Sequence, residues 1–369
     1  MKIMHVGQMI GGLEVYIRNS IIFNENGNEY VIVHGDKDNC KPVVKQGKTV
    51  KEYSVTLRRD LNPMNDFKAL LDTIRIIRKE RPDIIHCHSA KGGVIGRTAG
   101  WFTDTRTLYT PHAFSFLCTP SRLKRTIYIW IERFTRFRSS VLACSASEQE
   151  MAVKDVHYRK ERALLWNNSV PDTLRERGKP VTLDFPYACY IGRPCYQKNT
   201  LFLLDVIKSL KNTDCNLKFV LLGVGYHSPE LETMRRKITE LDLADNIMLM
   251  PWISHADCQE YVRGSLFYIT TSLYEGLPLS VIEAMADGKP VIASNVVGNK
   301  DCVEDGVNGW LLPLDAAVFA DKIRCLAADK CLLEEMGAKS RKIFLDRFFI
   351  EKQISLLQKI YKTTIAKSK

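Results

Sequence analysis

The chain has 369 residues, 45% of them hydrophobic and 26% charged, and carries a net charge of +11. That length exceeds one ordinary core and suggests two domains of roughly 150–200 residues each. The composition excludes a disordered chain, the lack of an apolar run of roughly 20 residues excludes a membrane span, and the charge favours phosphates, nucleic acid or an acidic membrane surface as partners.

The N-terminus opens on KIMHVG, a short apolar run that reads as a buried parallel strand. It lacks the long apolar stretch and cleavage site of a signal peptide, so a cytoplasmic address is expected. Gly7-Gln8-Met9-Ile10-Gly11-Gly12 follows. Without Cβ atoms such a loop lets backbone approach a phosphate or a sugar, although a plain tight turn is the simpler reading. The loop is not GxGxxG, and no fitting acidic residue is expected at the end of the second strand, EYVIVHG, which argues against a nicotinamide dinucleotide.

Next, DFKALLDTIRIIRKERPD shows apolar residues at helical spacing, stops at a proline, and leads into the strand DIIHCHS. There His86 and His88 flank Cys87. Alternate strand residues face opposite sides, so the histidines share a face that Cys87 does not, and no metal site is expected. The eleven cysteines form no CxxC pair and read as free thiols in a reducing compartment. TLYTPH and VLACSAS complete the first set of strands, with His112 in the loop Tyr109-Thr110-Pro111-His112-Ala113-Phe114. Between them, Arg122 to Arg138 mixes six basic residues with aromatics. One face of such a helix can enter a lipid headgroup layer, extended by Phe114, Phe116 and Leu117; a core helix with a solvated basic side is the alternative.

Val170 to Pro186, rich in proline and charge, reads as the linker. A second strand set follows: PYACYIGR, LKFVLLGVG, NIMLMPW, LFYITTS and PVIASNV. The βαβ alternation thus occurs twice, which predicts an α/β protein of two doubly wound parallel-sheet domains. The expected domains are 1–170, binding the acceptor, and 186–349, binding a nucleotide sugar; the amphipathic basic helix 350–369 is expected to pack back on the first.

Ligands bind outside the carboxyl ends of parallel strands. After LFYITTS stands Glu275-Gly276-Leu277-Pro278-Leu279-Ser280-Val281-Ile282-Glu283. Gly276 and Pro278 make a turn, Glu275 sits on it, and a helix begins whose first-turn amides can hold a phosphate. Ser280 and Glu283 also have capping-box spacing, a purely structural alternative. After PYACYIGR, Arg193 and Lys198 can converge on a diphosphate, or can be ordinary surface cations.

The run FYITTSLYEGLPLSVIEAMADGKPVIASNVVG with VEDGVNGWLLP resembles the retaining family-4 glycosyltransferases of GT-B fold. GGLEVYIRN, DIIHCHSAKGGVIGR, YTPHAFSF, CSASEQE and GRPCYQKN support the likeness. The resemblance extends over nearly the whole chain and points to the bacterial branch that builds capsule, O-antigen and exopolysaccharide. It implies two Rossmann-like domains facing across a cleft that holds the donor. It implies that Glu283 holds the ribose hydroxyls and that Glu275 lies near the donor sugar's hydroxyls. Arg193 and Lys198 would neutralise the diphosphate, Gly12 would approach a donor phosphate, and His112 would line the transferred sugar. Gly276 and the backbone of Leu279 and Ser280 complete the expected donor site. The sequence departs from the family at Val297-Gly298-Asn299-Lys300-Asp301 and at Asn167-Asn168-Ser169.

The family implies retention of configuration without a settled enzymic nucleophile; here the leaving diphosphate itself would take the proton, with no cofactor and no metal required. The expected donor is a UDP-linked hexose or N-acetylhexosamine and the expected acceptor a lipid-linked saccharide. An anionic membrane surface at the inner face of the cell membrane is a further expected partner, and nucleic acid is not. A nucleotide-sugar epimerase and a non-catalytic sugar-nucleotide-binding partner are the rival readings.

Overall fold

The computed structural model describes residues 1–366 except 39, 59–61, 173, 175–177, 212 and 226–227. Four positions of the expected linker and the last three of the expected C-terminal helix therefore lie outside the described residues. The chain forms two compact units, Met1–Pro171 with the chain from Ile350, and Asp172–Phe349.

In chain order the first unit runs β1 (Lys2–Val6), α1 (Gly12–Ile22), β2 (Glu29–Gly35), the two-residue hairpin strands β3 (Val44–Lys45) and β4 (Lys48–Thr49), and β5 (Lys51–Val55). It continues with α2 (Pro63–Glu80), β6 (Ile84–His88), α3 (Ser89–Phe102), β7 (Arg106–Thr110), α4 (Arg122–Phe134), β8 (Ser140–Ala143), α5 (Ala146–Lys154) and β9 (Ala163–Leu165). Seven strands form one sheet in the order β5-β2-β1-β6-β7-β8-β9, every pairing parallel. β6 is buried along its whole length because helices cover both faces, which is why it reads as an apolar run. α2 starts where Asn62 accepts a hydrogen bond from the Asn65 amide and Pro63 takes the first position, and it ends on Arg81 in the left-handed conformation ahead of Pro82.

Strand alternation divides the core. Met4, Val6, Ile85, Cys87 and Tyr109 face one side. Ile3, Ile84, Leu108, Leu142 and Trp166 face the other, where α1 and the C-terminal helix cover them. Cys87 presses against Gly96, whose hypothetical Cβ would stand 2.3 Å from the Cys87 sulfur, while His5, His86 and His88 are buried opposite.

The second unit runs β10 (Tyr187–Ile191), α6 (Thr200–Lys211), β11 (Lys218–Leu222), α7 (Leu231–Glu240), β12 (Ile247–Leu249), α8 (His255–Gly264), β13 (Tyr268–Thr270), α9 (Leu279–Ala286), β14 (Val291–Ser294), α10 (Asn299–Cys302), β15 (Gly309–Leu312), α11 (Ala316–Ala328) and α12 (Lys330–Arg347). Its sheet order is β12-β11-β10-β13-β14-β15, again all parallel. The strand order reverses beside β10 and β13, the switch point where doubly wound sheets bind ligands. The last helix, α13 (Ile350–Ala366), belongs to the first unit, where Leu357, Ile360 and Tyr361 join the core beside Trp166.

The candidate donor site and its surroundings

The loop after β13 is buried from Tyr274 to Pro278 and is held by backbone on both sides. Leu273 donates to the Gln197 carbonyl at 2.8 Å, and Glu275 donates to the Val297 carbonyl at 3.0 Å. Gly298, at φ +85°, lies so close that a Cβ there would stand 2.6 Å from the Glu275 Cβ. At the altered 297–301 stretch, the glycine that remains is therefore the one the packing requires.

The Glu275 carboxylate is a hub. Lys198 Nζ and Ser272 Oγ each donate to Oε1 at 2.7 Å, and Gln197 Nε2 donates to Oε2 at 3.1 Å. Lys198 and Glu275 thus form an ion pair at the switch point, so Lys198 meets a carboxylate before any phosphate. Arg193 stands half-buried at the same end of the sheet, two residues beyond β10.

Glu283 is likewise buried and pinned. His255 Nε2 lies 2.8 Å from Oε1 and Gln259 Nε2 donates to Oε2 at 3.0 Å. Both partners lie on α8, which starts on a Ser254 cap. The capping-box alternative for Ser280 and Glu283 does not hold. Pro278 occupies the N-cap position and no side chain of a described residue caps the helix. The amides of Leu279 and Ser280 open α9, and first-turn amides have no intrahelical acceptor. With the buried turn residue Gly276, they stand with Glu275 and Lys198 at one end of the sheet, an arrangement able to bind an anion.

In the first unit, Gly12 is the first residue of α1, behind Gly11 at φ +61°. Where no fitting acidic residue is expected, Asp36 and Asp38 stand just beyond β2. Both have structural partners. Asp38 accepts from the amides of Met9 and Gly35 at 2.7 and 2.9 Å, and Asp36 pairs with Arg58 at 2.8 Å.

His112 sits on a backbone corner at φ +54°, followed by Ala113 at φ +78°. Two consecutive side-chain-bearing residues in the left-handed region are strained, and such strain persists only where surroundings enforce it. Glu148 supplies the restraint, accepting from the amides of Ala113 and Cys144 at 2.8 Å each. The Tyr16 ring meets that of His112 edge-on at 4.6 Å. Burial lowers the His112 pKa to about 3, so its imidazole is neutral.

Ring nitrogens of His5, His86 and His88 come within 4.8 Å of one another, close enough to hold a metal ion. Five of their six ring nitrogens are engaged otherwise. His86 bonds the hydroxyls of Tyr361 and Thr110 at 2.8 and 2.9 Å, and His5 Nδ1 bonds His88 Nε2 at 2.9 Å.

α4 packs on the core of the first unit through half-buried Tyr128 and Ile129 and buried Glu132. Leu123, Ile127, Trp130 (64% exposed) and Phe134 (79% exposed) form a bare stripe beside exposed Trp101 and Phe102, and Arg122, Lys124 and Arg125 are exposed on the same helix. The expectation that Phe114 and Phe116 extend that face is wrong. Both are fully buried and stacked 5.0 Å apart, because the corner at His112 turns the chain inward. Among the described residues no helix is long and apolar enough to cross a membrane.

Sequence reasoning missed Gln197, Ser272, His255, Gln259 and Glu148 as groups that orient other side chains. Glu148 alone had a signal, the capping-box spacing from Ser145 in CSASEQE.

Two family models match the chain: Glycosyl transferases group 1 over residues 173–343 and Glycosyltransferase Family 4 over residues 10–174. The UDP-Gal:alpha-D-GlcNAc-diphosphoundecaprenol alpha-1,3-galactosyltransferase of Escherichia coli is 26% identical over 83% of this chain and 82% of its own. The capsular polysaccharide biosynthesis glycosyltransferase CapM of Staphylococcus aureus is 25% identical over 88% and 90%. Among solved structures, Anabaena HepE in complex with UDP superposes with a TM-score of 0.79 at 18% identity, over 98% of this chain and 100% of that one.

Proposed function

Because the chain belongs to the family-4 glycosyltransferases of GT-B fold, enzymes here of polysaccharide biosynthesis, we propose that it transfers a hexose or N-acetylhexosamine from a UDP-linked donor to a lipid-linked saccharide, with retention of configuration. The observation that carries this reading is the Lys198–Glu275 pair, set at the switch point beside the opening of α9. A nucleoside diphosphate placed there meets a cation, free amides and two oriented carboxylates. The relatives agree with it: HepE is solved with UDP, and the name of the E. coli relative specifies UDP-Gal and a diphosphoundecaprenol-linked acceptor.

In this reading Glu283, held by His255 and Gln259, receives the ribose hydroxyls. Glu275 orients the donor sugar, and Lys198 shares its ammonium with the diphosphate. The bond from the anomeric carbon to the diphosphate oxygen breaks, and its electron pair leaves with the phosphate. The acceptor hydroxyl attacks the same face, and its proton passes to the departing phosphate oxygen. Arg193, Lys198 and the α9 amides stabilise the charge that builds there, so no divalent ion is required. Gly12 brings backbone close to a donor phosphate, and neutral His112 bonds the transferred sugar. The exposed stripe on α4, with its basic residues, rests on an anionic membrane surface where lipid-linked acceptors reside, placing the enzyme at the inner face of the cell membrane.

The test is transfer by the purified enzyme from a panel of UDP-sugars to a diphosphoundecaprenol-linked saccharide, in EDTA, with the new anomeric configuration read by NMR. Retained configuration without metal is expected. Inversion, or abolition by EDTA, overturns the mechanism, and turnover of donor without acceptor points to an epimerase.

A further inference from the structure

Three imidazoles of the first unit form a continuous hydrogen-bonded series. His5 Nδ1 lies 2.9 Å from His88 Nε2, and His88 Nδ1 lies 3.2 Å from His112 Nε2. The rings keep company along the series, with centroids 5.2 Å apart for His5 and His88 and 5.4 Å for His88 and His112. Gly7 guards the middle of it: a Cβ there would stand 2.9 Å from the His88 Cβ.

A neutral imidazole has one N–H and one lone pair. His88 uses both nitrogens on other imidazoles, so it must donate through one and accept through the other. The series therefore has only two polarities, and fixing one ring fixes all three. The ends decide between them. At the inner end His5 Nε2 is buried without a hydrogen-bond partner among the described residues. If the protons point inward, that atom carries an orphaned N–H; if they point outward, it is a bare acceptor. Orphaned buried N–H groups are the rarer kind, so the outward polarity is the stable one. His5 Nδ1–H then donates to His88 Nε2, and His88 Nδ1–H donates to His112 Nε2. His112 is left with its proton on Nδ1, which like His5 Nε2 meets no described residue but lies on a half-buried side chain at the strained corner.

We propose that His88 and His5 are positioning residues that lock His112 as its Nδ1–H tautomer, so that His112 serves as a hydrogen-bond donor to a substrate oxygen and not as a base. The burial that keeps all three rings neutral supports the assignment, since a protonated member would break the series. The use of His112 toward a sugar rests on the function proposed above; the tautomer does not.

The decisive measurement is a long-range 15N–1H correlation spectrum of the histidine-labelled full chain without substrate. A protonated Nδ1 and an unprotonated Nε2 at His112 are expected; a protonated Nε2 overturns the proposal. The second measurement compares His88→Asn, whose amide can still donate to His112, with His88→Leu, which cannot. His88→Leu is expected to give a mixed His112 tautomer and to lower kcat by about 10- to 100-fold, the scale on which losing an orienting partner of a functional imidazole acts. His88→Asn is expected to keep both the tautomer and most of kcat. A His112 signature unchanged in His88→Leu overturns the positioning role. An Nδ1–H tautomer in a chain that transfers no sugar would leave the lock intact and remove the proposed function instead.

Discussion

Glu275 accepts three side-chain hydrogen bonds from residues up to 78 positions away, so one carboxylate fixes how two strand-end loops meet. Gly298 makes that meeting possible. In Gly298→Ala the added methyl has nowhere to go, since the atoms it meets are the Cβ and backbone of Glu275 rather than a flexible tip. The parent is expected to show a UDP-induced rise in melting temperature, equivalent to about 2.7 kcal/mol at a ligand concentration of 100 Kd, and the substitution to abolish it. A variant with the parent's UDP response would mean that the 275 loop does not bind nucleotide. Lys198→Ala is expected to lower turnover by about 2–4 kcal/mol of barrier, the scale of one preorganised charge donor. Steady-state kinetics reads it, and undiminished turnover removes the lysine from the reaction. Glu275, Lys198 and Glu283 were legible in the sequence because loop composition and strand-end position mark them. Their partners were not. Gln197, Ser272, His255 and Gln259 are ordinary polar residues whose meaning comes from which acid they meet, and spacing along the chain does not carry that.

The helices and inner strands follow from local pattern, and the misses follow from its absence. All five strands anticipated in each unit form, because each reads as a short apolar run, even the half-buried edge strand β12. β5, β9 and β15 went unread: each stands at a sheet edge, where short or polar sequence suffices. α4 shows why an amphipathic pattern alone is ambiguous, since the apolar stripe faces solvent and the buried contact is an acid. Arg97 and Glu132 pair at 2.8 Å with neither exposed, Tyr109 donates to the same carboxylate at 2.9 Å, and the guanidinium stacks over the Tyr109 ring at 3.9 Å. Glu132→Leu leaves a buried guanidinium without its counter-charge and is expected to cost about 3–5 kcal/mol in chemical denaturation. A loss under 1 kcal/mol would show that α4 is not anchored by this pair. The stripe itself is separable from the anchor. Trp130→Ser with Phe134→Ser removes its two most exposed aromatics and is expected to leave stability unchanged while abolishing flotation with anionic liposomes at low salt. Equal flotation of parent and variant would exclude the stripe as the membrane contact.

At the scale of the whole molecule, the histidines buried in the first unit couple folding to pH. Burial lowers His5 and His112 to about 3 and holds His86 and His88 well below their ordinary value of 6.5. In the unfolded chain these four rings bind protons below pH 6.5, whereas in the folded chain they do not. The unfolded state therefore holds more protons throughout the window from about 6.5 down to 3. Stability is complete above pH 6.5 and is lost as the pH falls through that window. At pH 5 the loss is on the order of 2 kcal/mol for each ring that stays neutral. Glu80 also destabilises the fold in acid, because Lys51, Tyr53 and Lys2 hold it at about 2, but its contribution begins only below its ordinary value of 4.5. Between pH 7 and 5 the decline thus belongs to the histidines. Urea denaturation at pH 7.5, 6 and 5 is expected to show ΔG falling with a slope that approaches four protons taken up per molecule unfolded. A flat profile across that range would mean that the buried imidazoles already carry charge in the native state, and it would be incompatible with a chain of neutral rings ending at His112.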